Sequence, residues 1–138
     1  MTSRPWTPPG AVLVLVALSA CTGTGPDVDG SWELVEGEAP SGAVPLVEDA
    51  PITLNIEDDE LSGTAACNSY GGTADLDDER FRAREVFQTE MACDPAEVMD
   101  SESAYLEAFR QVTTYERRDD VLVLRGADVE LVYERASG

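Results

Sequence analysis

After residue 30 the chain is a succession of short runs in which apolar and polar residues alternate, and these predict strands. Gly30-Ser31-Trp32-Glu33-Leu34-Val35-Glu36-Gly37 alternates around Trp32 and Leu34, the two-residue period of a half-buried strand. Ile52-Thr53-Leu54-Asn55-Ile56 places Ile52, Leu54 and Ile56 on one face. Glu57-Asp58-Asp59-Glu60 reads as a turn, with Leu61–Ala66 as the returning arm of a hairpin. The small residues of that arm let another backbone approach closely. Gly72–Leu76 and Phe81–Val86 flank a second acidic turn, Asp77-Asp78-Glu79. Toward the C-terminus, Thr114–Arg117, Val121–Arg125 and Val129–Tyr133 form a meander around turns at Arg118-Asp119-Asp120 and Gly126-Ala127-Asp128. Residues 38–50, with Pro40, Gly42 and Pro45, are predicted as a loop.

One segment has helical periodicity. Val98, Tyr105, Phe109 and Val112 recur at steps of seven, four and three and form a single apolar stripe. Asp94-Pro95-Ala96-Glu97 precedes it with the pattern of a capping box, Asp94 as N-cap and Pro95 at the first helical position. Asp100 and Ser101 could restart the helix with a second cap, and Glu102 and Glu107 are assigned to the solvated side. The expected fold class is α+β, mainly β. It is a small curled antiparallel sheet or barrel of seven to eight short strands, with one amphipathic helix over one opening or face.

The segment before the strands changes the picture of where the protein acts. Ala11–Ala20 is an apolar run that Cys21 ends. As a helix it spans only about 15 Å, half a bilayer core, so it reads as a signal-peptide core rather than a membrane span. Leu18-Ser19-Ala20-Cys21 resembles the lipobox of bacterial lipoproteins. That resemblance implies cleavage behind Ala20 and lipidation of Cys21, with a palmitate-type anchor on the extracytoplasmic face of the cell membrane. The expected domains are a signal peptide over 1–20, the lipidated cysteine and a flexible tether over 21–29, and one folded domain over 30–138.

Charge and residue counts then exclude several functions. The 138 residues carry 28 acids against nine basic residues, a net charge of −19, with no histidine; every basic residue is arginine. Nucleic acid is excluded as a partner, because binding it requires neutralising phosphates with basic side chains. Anionic lipid headgroups are repelled too, so membrane association falls to the acyl chains. The acidity itself reads as a solvated surface.

If Cys21 carries lipid, Cys67 and Cys93 remain as an even pair in an oxidising compartment. A disulfide between them is the favoured reading and stabilises by about 3 kcal/mol in the chain-entropy estimate. Thiol chemistry is the alternative. It needs a lowered pKa, yet Glu90 and Asp94 flank Cys93 with negative charge, and no histidine exists to serve as a base. A metal clip needs more sulfur or imidazole ligands than the chain holds. Asp75-Leu76-Asp77-Asp78-Glu79 imitates the opening of a calcium loop, but Arg80 stands where its glycine should be and Val86 where its last glutamate should be. No hydrolase or phosphate-loop pattern is present, so no enzyme, metal or cofactor is expected. Asn68, Tyr70, Gly71 and Gly72 suit a turn after a strand, where a buried asparagine can pin neighbouring backbone groups, and this structural reading is the favoured one. Asn68 and Tyr70 are also the candidate partner-binding residues, since tyrosine offers large contact area at low entropy cost.

Gly30-Ser-Trp-Glu-Leu34, Leu61-Ser-Gly-Thr-Ala-Ala-Cys-Asn-Ser-Tyr-Gly-Gly72 and Thr89-Glu-Met-Ala-Cys93 together resemble the successive signatures of the META domain, or HslJ-like, family. The resemblance runs from residue 30 to about 134. Ala66 departs from it, standing where the family usually has glycine, and so does Ala74, where an aromatic is more usual. It implies a β-rich envelope domain without established catalytic chemistry and with a loose link to envelope stress. Two functions are therefore expected. The first is a non-catalytic, lipid-anchored interaction module for an envelope protein, peptide or lipid-like ligand held in an apolar groove or cavity of the barrel, for which the space under the helix is one candidate. The second is a redox-responsive envelope protein that cycles Cys67 and Cys93.

Overall fold

In a computed structural model, residues 2–5, 10 and 27–137 are described; the apolar run and Cys21 lie outside them. The strands run in the order β1 (Gly30–Ala39), β2 (Gly42–Ala43), β3 (Thr53–Glu57), β4 (Glu60–Ala65), β5 (Asn68–Asp77) and β6 (Arg80–Gln88). A helix, α1 (Ala96–Phe109), separates these from β7 (Thr114–Arg118), β8 (Val121–Arg125) and β9 (Glu130–Arg135). Each strand pairs antiparallel with its neighbour, and β1 pairs with β3, β9 and the short β2. The result is a closed eight-strand antiparallel barrel with β2 appended and one helix. Closure pairs off the strand edges that would otherwise aggregate.

The alternation that predicts the strands also sets their inner face. Leu54 and Ile56, Leu122 and Leu124, and Leu131 and Tyr133 all point into the core. In β1 the alternation slips once. A bulge between Leu34 and Glu36 turns Val35 outward before Gly37 and Ala39 return inside, as one unpaired extra residue must do. Three hairpin turns begin with an aspartate at positive φ, Asp58 (55°), Asp78 (51°) and Asp119 (52°). Aspartate tolerates this left-handed conformation better than most residues, so part of the chain's acidity belongs to its turns.

The thinnest seam lies between β6 and β7, which share the single register pair Arg80 and Thr114. On either side, the Phe81 N–H donates to Thr113 O (3.1 Å) and the Tyr115 N–H to Glu79 O (2.9 Å). The intervening chain forms α1; the predicted stripe of Val98, Tyr105, Phe109 and Val112 is buried, although the helix ends at Phe109 and Val112 lies beyond it. The capping box does not form. Pro95 occupies the N-cap in an extended conformation with no side-chain cap bond, which leaves Asp94 outside the helix. Nor does Ser101 restart the helix, which is continuous from Ala96. The predicted loop over 38–50 contains β2 and a Val47–Ala50 bridge.

Candidate functional site

The β4–β5 hairpin turns through Ala66 and Cys67, between the paired residues Ala65 and Asn68. Ala66 takes φ 64°, and Cys67 is bonded to Cys93 three residues before α1, with a Cα–Cα distance of 5.9 Å. That separation is ordinary for a disulfide. The bridge ties the hairpin tip to the segment entering the helix.

A polar clamp runs beside it. Asn68 is 1 % exposed and Glu102, on α1, is 3 % exposed. The Asn68 backbone N–H donates to Glu102 Oε2 at 2.6 Å, and Asn68 Nδ2 donates to Glu102 Oε1 at 2.9 Å. Gln88 Nε2 approaches the same Oε1 at 3.5 Å. The other side of the Asn68 amide is also occupied. Its Oδ1 accepts from the Met91 N–H (2.7 Å) and Thr89 Oγ1 (2.9 Å), while Nδ2 also reaches Met91 O at 3.0 Å. No arginine forms an ion pair with Glu102 among the described residues. N–H donors instead converge on both oxygens of this buried side chain, so its polar atoms are hydrogen-bonded.

Below the clamp, three phenols line up in the barrel. Tyr70 Oη donates to Thr53 O at 2.7 Å, and its one proton is thereby used. Tyr105 must therefore donate to Tyr70 (2.6 Å), and Tyr133 to Tyr105 (3.0 Å). The chain of protons runs one way, from Tyr133 to the Thr53 carbonyl. Burial pushes all three phenols well above their ordinary pKa, and each is raised further by a neighbouring tyrosine of the chain. Phe109 meets Tyr70 and Phe81 edge-on and stacks on Tyr105. These rings fill the space beneath the helix where an apolar ligand groove was expected. Among the described residues, clefts lie on the outer faces of β7–β8, β5–β6 and β3–β6 and between β6 and α1.

A META domain model matches residues 26–138. The chain belongs to the META domain family. Among solved structures this META domain resembles a protein from Burkholderia xenovorans, solved by NMR, with 27% identity over 80% of this chain and 83% of that one, and a TM-score of 0.67. A second NMR structure (17% identity, 76% and 87% covered, TM-score 0.59) shares the fold. So does a DUF4847 family protein from Bacteroides vulgatus (12% identity, 80% and 94% covered, TM-score 0.57). No curated protein matches the chain.

The family motif in this META domain is a structural joint. Cys67 and Cys93 come together as predicted, Asn68 pins neighbouring backbone groups as in the favoured reading, and the partner-binding alternative for Asn68 and Tyr70 does not match where their side chains lie. Both are buried, because Asn68 spends its amide on Met91, Thr89 and Glu102, and Tyr70 spends its hydroxyl on Thr53 and Tyr105. Neither presents its side chain to a partner. Both lie within β5, which begins at Asn68 instead of Gly72. Glu102 is a second correction, since it is buried rather than solvated. Its signal was present: residue 102 falls four after Val98 and three before Tyr105, on the apolar stripe itself. Asp75, of the calcium-like stretch, faces outward and pairs with Arg84 at 2.6 Å. Among the described residues, no group of three or more His, Cys, Asp or Glu could hold a metal ion.

Proposed function

We propose that this META domain protein is a non-catalytic interaction module, anchored by lipid at Cys21 to the extracytoplasmic face of the cell membrane. The observation that carries the reading is that Asn68, Glu102 and the three tyrosines spend their polar groups on one another. A general acid, base or nucleophile must be free to reach a substrate, and these are committed to holding the barrel and helix together. What remains for recognition is the outer surface.

The anchor fits the geometry of the first described residues of the domain. Trp32 is buried and donates its indole N–H to Val28 O at 2.9 Å. Arg135 lies 4.1 Å over its ring and donates to Asp29 O at 2.8 Å, and Arg117 donates to Asp27 O. Residues 22–26 between Cys21 and this clamp reach roughly 20 Å at full extension. A lipid on Cys21 would therefore keep the barrel against the bilayer. Mass spectrometry of the membrane fraction should find a diacylated N-terminal Cys21, and Cys21→Ser should release or misprocess the protein. An unmodified chain secreted to the medium would refute the anchor.

The second reading, a redox-responsive pair, is favoured by the partial exposure of both Cys67 and Cys93. A graded glutathione titration separates the two. A pair that resists reduction, and whose Cys→Ser variants only lower the melting temperature by the equivalent of about 3 kcal/mol, is a staple. One reduced near the glutathione poise is a switch.

A further inference from the structure

Phe87 is 66 % exposed, the largest value among the exposed bulky apolar side chains described. Its place in the sheet explains how it is held. Asn55 pairs with Ser62, Ser62 with Gly71 and Gly71 with Phe87, so one row crosses β3, β4, β5 and β6. The row faces outward, because Leu54, Ile56, Leu61 and Tyr70 beside it face the core. A Cβ at Gly71 would meet the Phe87 ring at 2.8 Å. The missing side chain thus leaves room for the tip of the ring, its Cζ and Cε1, over Gly71, as an aromatic covering a glycine in a sheet does, while most of the ring stays exposed.

Beside the ring is a cleft of about 260 Å³, lined by Asn55, Glu57, Glu60, Leu61, Ser62 and Gly72 as well as Phe87. It is smaller than the ordinary pocket for a drug-sized ligand and suits a single long side chain. At its other end Glu57 and Glu60 are register partners. Like charges directly opposite each other destabilise a strand pair, and neither forms an ion pair among the described residues. An aromatic face attracts a cation, and so do the two carboxylates across the floor from it.

We propose that this cleft docks a basic segment of a partner protein, with an arginine or lysine stem on the exposed ring of Phe87 and its charged head toward Glu57 and Glu60. The proposal rests on the interaction-module reading and names its surface. Charge complementarity selects the occupant. A second copy of the chain, at net charge −19, is repelled, as are anionic headgroups.

The test titrates fluorescent hexa-arginine and hexa-lysine peptides into the full chain in neutral detergent, at physiological salt where diffuse attraction is screened beyond about 8 Å. Phe87→Ala, which leaves net charge unchanged, should weaken binding roughly two- to fivefold. Glu57→Gln with Glu60→Gln should weaken it at least as much, and the control pair Glu33→Gln with Glu48→Gln should not. Phe87→Ala should remain fully folded at the assay temperature with at most a small drop in melting temperature, because the ring covers Gly71 but is otherwise exposed. Equal affinities for Phe87→Ala and the parent, or equal losses from the two glutamine pairs, would show that the peptides bind the acidic surface diffusely and would overturn the proposal. Loss of a dimer on Phe87→Ala in sedimentation would overturn it in favour of self-association. An unlipidated Cys21 would defeat the anchored reading and leave the peptide result intact.

Discussion

Asn68 and Glu102, 34 residues apart, grip each other through two hydrogen bonds, one from the Asn68 backbone N–H at 2.6 Å and one from its amide nitrogen at 2.9 Å. The pair welds the start of β5 to the middle of α1 in a site closed to water. It acts beside the disulfide and pulls in the same direction. The disulfide limits how far the hairpin and helix can separate in any state, and the clamp specifies how they sit when folded.

Glu102→Gln tests the clamp. The glutamine amide would turn an N–H donor toward the Asn68 donors, leaving a buried group unpaired at a cost of about 1–3 kcal/mol. The measurement is the denaturant midpoint with an unchanged m-value. A loss below about 0.5 kcal/mol, ordinary for a surface change, would mean that the carboxylate is not held as described.

The one-way phenol chain predicts an order among tyrosine variants. Tyr133→Phe removes the first donor and strands no proton, so it should cost less than about 1 kcal/mol. Tyr70→Phe strands both the Thr53 carbonyl and the Tyr105 proton, and should cost about 2–3 kcal/mol. The reverse order in chemical denaturation would show that the protons run the other way.

Alkaline pH should unfold the protein through the same groups. The folded state keeps Tyr70, Tyr105 and Tyr133 neutral well above the ordinary value of 10.0, chiefly by burial. Tyr115 is also raised, by burial and then by the charges of Asp78, Glu79 and Asp77. Above pH 10 the unfolded chain loses these protons while the folded chain retains them, so the unfolded state binds fewer protons and stability falls as pH rises. Their contribution is fully present below pH 10 and disappears as pH climbs through the folded values. The three barrel phenols together give a slope of up to about 4 kcal/mol per pH unit. Tyrosinate absorbance should therefore rise together with loss of circular dichroism. A tyrosinate step near pH 10 in a chain that remains folded would contradict this.

Ala66 sits at φ 64°, a conformation that costs an L-residue about 1–2 kcal/mol and glycine very little. Glycine repays part of that through a floppier unfolded chain, about 0.4–1 kcal/mol. Ala66→Gly should therefore stabilise by about 0.5–1 kcal/mol, read as a rise in melting temperature. A lower melting temperature would show that Ala66 is unstrained.

How far the sequence was legible depends on the range of the signal. Hairpins announce themselves because alternation and turn chemistry are local. The hairpin of β3 and β4, the acidic turns and the Val98–Phe109 stripe all follow from residues within a few positions of one another, whereas the first half of β5, Asn68–Gly71, does not. The capping box failed because Pro95 took the N-cap, a choice made by how the preceding chain enters the helix. For Asn68 and Tyr70 the residue types alone leave both a buried joint and a partner-facing surface open. Their partners, Glu102, Met91, Thr53 and Tyr105, are distant in sequence.

By itself the sequence determined that this is a β-rich, strongly acidic domain with one amphipathic helix and a pair of cysteines suited to a bridge, because periodicity, charge and residue counts are properties of the chain. Only the tertiary structure decided that the barrel closes between β1 and β9, that Glu102 is inside, and that the motif around Cys67 is a joint rather than a surface. Burial is the physical reason. Whether a polar side chain meets water or another polar group depends on which distant strand the fold brings against it.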